Sequence, residues 1–501
     1  MNATGVWFGN EAWPSGKSPG AFARDVFRIE NCKTDKQRAL AFYTWFQRCM
    51  CRGRLPVAPG FNGMLPTSDP LTTFAWGHHQ CTGWGWVAAE ALQAAGVKAR
   101  RSVINNSGHT FYEVWYAGEN GKESWHAFDP FLGWYLLNEH GEVASCAELA
   151  ANPDLAIHPR GGPSRLGNHP ERSVLDYPYR TGDNLDIVQP VRDEELSYEP
   201  QAGQSYENLW RPELPYLAWG DADYPRGAHC DISLFDESGR VRYPEHYPHW
   251  KNQVWPTPRV DGINGGQPVR WAGCGAMRWR PLLYGDAVTC RADNAVFENG
   301  ALRPSGVNKH CEVWWHLKVP HQITYLRLAS VVEASGSDLV GFAVSPDAGK
   351  TLLPIHWKNG APPKLITHGP PEFSPDGREI APAPSPSIRG SREFWLRLDM
   401  SSKSPASPLR VQNLTITVGY QLNMQILPRV MPGENTLNLE AKELNGVRLQ
   451  AEWIYSHPKG ERIDSVELEK SGRAQKKTHC DVGAPDDLIM RGVGLRCMPA
   501  K

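Results

Sequence analysis

From about residue 276 onward, short runs of alternating apolar and polar residues return between polar turns: CEVWWHLKV, ITYLRLASVV, LVGFAVS, EFWLRLDM, LRVQNLTITVGY and VRLQAEWIY. A side-chain period of two belongs to strands, and its repetition without an intervening helical pattern confines this half of the chain to packed antiparallel sheets. The expectation is a β-sandwich domain over 276–425 and a small β module over 426–501.

The first 150 residues carry a different pattern. TDKQRALAFYTWFQRCMCRG, 34–53, sets apolar residues at 39, 40, 42, 43, 45 and 46 behind a capping Thr or Asp, which predicts a helix. A Pro/Gly-rich loop, LPVAPGFNGMLPTSDP, follows, and the next helix is expected to begin near Cys81 and stop at Gly96. ARRSVINNS, HTFYEVWYAG and ESWHAFDPF then read as strands. Helices followed by antiparallel strands predict an α+β domain over 1–150. Between 151 and 275 periodicity gives way to Pro, Gly and Tyr, the composition of an irregular connecting region. A chain of 501 residues is too long for one compact core, in keeping with several domains.

Charge and composition exclude some partners. Lys and Arg total 53 against 54 Asp and Glu, so no global field favours nucleic acid or an anionic membrane. No run approaches the ~20 apolar residues of a membrane span, and MNATGVWFGNEAWPSG lacks a basic-then-apolar leader pattern. Eleven cysteines, spread without C-x-x-C pairs, suit five disulfides and one reactive thiol in a secreted or periplasmic protein whose leader has been removed. The 20 Trp outnumber both the 15 Phe and the 16 Tyr. Indole faces stack on sugars and also fill β cores.

Three residues fit one chemistry. Cys81 is expected in the first turn of a helix, His109 at the head of a strand and Asp129 at the end of the next. A thiol attacks as thiolate, and a helix N-terminus together with a neighbouring His lowers its pKa from ~8.5 towards neutrality or below. A carboxylate behind the imidazole fixes its tautomer and steadies its cation. The backbone N–H of Cys81 is the first donor for an oxyanion.

The turn AGENGKES tests this arrangement. A two-residue hairpin on Asn120-Gly121 would set Asp129 opposite Tyr112 and put His and Asp on opposite faces. A three-residue loop, Glu119-Asn120-Gly121 with Gly121 left-handed, instead sets Asp129 opposite Phe111 and diagonal to His109. A loop on 118–120 would make His109 and Asp129 direct neighbours.

HHQCTGWGWVAAEALQAAGVKARRSV, GHTFYEVWYAGE and WHAFDPFLGWYLL, with DKQRALAFYTWF upstream, resemble the transglutaminase-like core, in which Cys, His and Asp follow in that order. The resemblance covers about residues 25–150. It implies a papain-like α+β scaffold with Cys81 as nucleophile, His109 as acid/base and Asp129 as orienter, and no cofactor or metal. The Cys-Trp pair of the crosslinking members is replaced by Cys81-Thr82, and their multidomain calcium architecture is not found, so hydrolysis of an amide or peptide bond is expected rather than crosslinking. Trp76 and Gln80 are the candidates for the upstream oxyanion helper such enzymes use.

The β modules and the Trp content suggest an extracellular glycoprotein or glycan-linked polymer as substrate. Trp84, Arg101, Asn105, Asn106 and Tyr112 are further candidate contacts. A rival reading is a polysaccharide lyase on uronic-acid polymers, with Asn or Arg neutralising a carboxylate, His109 as base and Tyr112 as acid. A non-catalytic binding module is a third. Zinc at His78, His79, Cys81 and His109 lacks the usual ligand spacings. Asp221 and Asp223 read as a solvated turn rather than a calcium loop. SPDAGKT, 345–351, resembles the Asp-box turn of sialidase-like β proteins and is expected to be a hairpin. Oligomeric state is left open.

Overall fold

A computed structural model describes residues 1–52, 57–60, 63–66, 69–79, 81–104, 109–130, 135–152, 154–157, 194–209, 272–281, 291–355, 364–368, 388, 390–482 and 488–500. Of these, 51% are strand and 18% helix, arranged around a curled antiparallel sheet. The expected fold class, α+β and papain-like at the N-terminus, is therefore corrected: the fold is mainly β, and residues 1–150 are not an α+β papain-like domain. Strands β1 (Asn2–Thr4) and β2 (Trp7–Asn10) pair antiparallel with Glu443–Asn445 and Gly433–Ala441, at the far end of the sequence. Both are too short, at three and four residues, to show a period of two.

The helices form where capping chemistry stops and starts them. α1 (Pro19–Ile29) opens with Ser18 accepting the Ala21 N–H and Pro19 in its first turn. α2 (Asp35–Cys49) opens with a reciprocal box between Thr34 and Gln37. α3 (Pro70–Trp76) opens on Asp69, which accepts the Thr72 N–H, and ends at left-handed Gly77, φ +76°. α4 (Cys81–Ala94) closes through Val97 N–H to Leu92 O, with Gly96 at φ +82°. Phe42, Phe46, Trp84, Val87 and Leu92 from α2 and α4 pack with Tyr112, Val114 and Phe128 of a three-stranded sheet: β3 (Ala99–Ile104), β4 (His109–Ala117) and β5 (Glu123–Phe128). Ile426 joins the same core.

The remaining chain builds the larger core. Strand His310–Lys318 sends Val313, Trp315 and Leu317 inward, Glu393–Ser401 sends Leu396, Leu398 and Met400, and these meet Leu326, Leu328, Ile416 and Val418 of a ten-stranded sheet. Gln204–Leu209 lies inside that sheet, between Ala272–Trp279 and Ile489–Pro499, although it falls in the stretch expected to be irregular. Its buried positions Gln204, Tyr206 and Asn208 are mostly polar, so no apolar alternation marks it. Asn208 instead bonds the hydroxyls of Tyr198 (2.9 Å) and Tyr420 (2.7 Å). The sheet thus runs across the boundaries read at 275/276 and 425/426.

Other expectations resolve here. Trp13, Trp76, Trp84, Trp279, Trp315 and Trp453 are among the largest fully buried side chains, so much of the Trp excess fills cores. Cys32, Cys49, Cys81, Cys146, Cys311, Cys480 and Cys497 are thiols and not disulfide sulfurs, which leaves too few cysteines for five bridges. The Asp-box segment is a hairpin turn in which Asp347 accepts the Thr351 N–H (2.7 Å) and hydroxyl (2.8 Å). Among the described residues no helix is long and apolar enough to cross a membrane. Asp221 and Asp223 lie outside the described residues.

Candidate active site

Cys81 is the first residue of α4 and partly exposed. Two glycines let this helix sit against its surroundings without side chains in between. A Cβ on Gly85 would lie 2.7 Å from Phe111 O and 2.8 Å from Thr110 Cγ2, so α4 rides directly on β4. A Cβ on Gly83 would lie 2.2 Å from Cγ of His79. His79 is fully buried; its Nδ1 accepts the Gly83 N–H (3.1 Å) and its carbonyl accepts the Trp84 indole N–H (2.7 Å). His79 therefore acts as a helix cap, a role the sequence reading did not assign; the paired glycines inside a helical run were the signal available for so close an approach.

The β4–β5 hairpin has the odd loop. Gly118 N–H bonds Lys122 O and Gly121 N–H bonds Gly118 O, both at 3.0 Å, with Gly121 at φ +73°. Residues 119–121 form the loop, and the ladder runs Ala117↔Glu123 to Tyr112↔Phe128. The ladder ends at Tyr112↔Phe128, with Asp129 the next residue; its parity, continued, would face Phe111, two residues along β4 from His109, which itself pairs with Ile104 of β3. Asp129 is buried.

Between the ends of this sheet lies a charged network. Glu113, fully buried, accepts from Arg100 Nε (2.9 Å), from the Ser102 hydroxyl (2.8 Å) and, through its other oxygen, from the Cys146 N–H (3.0 Å) at the start of α5 (Cys146–Ala151). It ties β3, β4 and α5 together.

Several expected substrate contacts are core residues instead. Trp76 and Tyr112 have no exposure and Trp84 has 2%, so none presents a face to a polymer. Burial, then the neighbouring Tyr43 and Asp129, hold the Tyr112 hydroxyl well above the ordinary phenol range. The physical reason is the strand period: Tyr112 pairs with Phe128 on the face that α2 and α4 cover. Arg101 is half-buried, its guanidinium 5.3 Å from the centre of the Trp86 ring. Gln80, Asn105 and Asn106 lie outside the described residues.

The region is held from the β body as well. Asn423, fully buried at the end of strand Arg410–Asn423, donates to Cys49 O (2.9 Å) at the end of α2 and lies where a side chain on Gly77 would go. Set against known proteins, the sequence matches no family and no curated protein.

Proposed function

We propose that this protein is a thiol-dependent hydrolase of an amide or peptide bond, with Cys81 as nucleophile, His109 as general base and acid, and Asp129 as the group that orients His109. The observation that carries the reading is the three-residue hairpin loop, whose register is one of those the triad requires and excludes the one that would separate His and Asp. The position of Cys81 at the start of α4 adds the partial positive charge of a helix N-terminus.

In this mechanism His109 takes the thiol proton, the thiolate attacks the carbonyl carbon and the backbone N–H of Cys81 donates to the oxyanion. The C–N bond breaks as His109 returns the proton to the leaving amine. Water, deprotonated by His109, then cleaves the thioester and restores the thiol. Elimination with Tyr112 as acid is the weaker reading, because that hydroxyl is buried beneath two helices.

The test is the pH dependence of alkylation at Cys81, resolved by peptide mass, in the parent and in His109→Ala. Rapid reaction well below pH ~8, lost without His109, supports the ion-paired nucleophile. A Cys81 that reacts as an ordinary thiol in both proteins overturns it.

A further inference from the structure

The first turn of a helix leaves its N–H groups without intrahelical acceptors. In α4, the Gly83 N–H is taken by Nδ1 of His79, two residues ahead of Cys81, at 3.1 Å. The same residue's carbonyl takes the Trp84 indole N–H at 2.7 Å. The ring lies so close over the helix that a Cβ on Gly83 would fall 2.2 to 2.5 Å from Cγ, Nδ1 and Cδ2, and the whole residue is sealed from solvent. One residue thus grips the turn that carries Cys81 at two adjacent points, and Gly83 is the side-chain-free position that allows it.

We infer that His79 is a positioning residue for Cys81: its Nδ1 holds the first turn of α4 in helical geometry and so fixes the thiol against the helix N-terminus. The inference rests on the reading of Cys81 as nucleophile. An acceptor at Nδ1 carries no proton, so the imidazole that performs this task is neutral. A fraying first turn would disperse the aligned amides whose partial charge favours the thiolate. Asn at this position places Oδ1 the same number of bonds from Cβ as Nδ1, and so restores the acceptor, whereas Ala removes it.

The experiment follows iodoacetamide alkylation of Cys81 across pH 5–10 (roughly the range that spans a perturbed and an ordinary thiol) in the parent, His79→Ala and His79→Asn. It is paired with hydrogen exchange at the Gly83 amide of the parent. The expected result is a His79→Ala rate at neutral pH about tenfold below the parent, with its midpoint moved upward and the two rates converging at high pH. His79→Asn should stay within about threefold of the parent, and the Gly83 amide should be protected, unlike an uncapped first-turn amide. A His79→Ala profile that overlays the parent overturns the positioning role and leaves the nucleophile standing. Should His79→Ala fail to fold, fast exchange at Gly83, or an Asn variant as slow as tenfold below the parent, overturns it. A parent Cys81 that titrates near pKa ~8.5 removes the nucleophile reading, and the role of His79 with it.

Discussion

Asn423 occupies the space in which a side chain on Gly77 would begin: a Cβ there would lie 2.4 Å from Asn423 Cγ. The two residues are 346 positions apart, yet this contact fixes the turn between α3 and α4 against the large sheet. Asn423→Ala removes the donor that satisfies Cys49 O, an expected loss of about 1–3 kcal/mol. The check is a chemical denaturation series, and a variant as stable as the parent would show that the junction bears no weight.

Gly85→Ala should destabilise the protein although alanine is the better helix former by about 1 kcal/mol. The added methyl meets backbone at Phe111 O and the methyl of Thr110, neither of which moves without separating α4 from β4. A loss of about 1–3 kcal/mol is expected. A raised melting temperature would contradict this packing.

Glu113→Ala removes the carboxylate that accepts from Arg100, Ser102 and the Cys146 N–H, in a site where the Glu side chain is 1% exposed. Because Arg100 keeps some access to water, the expected cost is at the lower end of what breaking a buried pair brings, about 3 kcal/mol. Glu113→Gln, which keeps one acceptor oxygen, should lose less. Equal melting temperatures for the two variants would argue against the network.

Asp464 makes stability fall in acid. Burial pushes its carboxyl upward, but Lys476 at 2.7 Å and the hydroxyls of Tyr455 and Thr478 together outweigh that and hold it below the usual carboxylate range. A carboxyl depressed by folding contributes stability that is complete above its unfolded value, near 3.9 on the model-peptide scale, and is lost as pH falls through the folded value. The difference in melting temperature between the parent and Asp464→Asn should therefore shrink from about pH 6 to about pH 3. A difference that stays constant would place the stabilisation elsewhere.

Local signals were legible in the sequence. The apolar spacing in α2 and α4, the cap at Gly96 and the alternating runs from 310 to 457 give elements within a few residues of those observed. The loop of three at Glu119–Gly121 could be posed in advance as one of a few registers, because side-chain parity links it to Asp129. What the sequence did not disclose is long-range or polar. β1 and β2 acquire strand geometry from partners at the opposite end of the chain, and Gln204–Leu209 hides a central strand behind buried amides and hydroxyls. α1 and α3 carry Ser-Pro and Asp-Pro starts at 18–19 and 69–70, but lie in stretches whose Pro and Gly content resembles loop. For His79 the only signal was the paired glycines inside a helical run, which mark a close approach but do not say that a ring fits over Gly83.

The pairing of β1 with Glu443–Asn445 has a consequence for biosynthesis. Asn2 and its partner Asn445 are separated by 443 residues, and at about 5–20 residues per second the first strand waits roughly 20–90 s for the second to be made. During that interval Asn2 and Val6 can reach only their bridges to Gln201 and Tyr198, and Trp7 and Phe8 only the Tyr198 ring, while the strands that pair with β1 and β2 are still to be made. The segment that carries β1 and β2 is thus expected to dock late, onto strands made more than 400 residues after it.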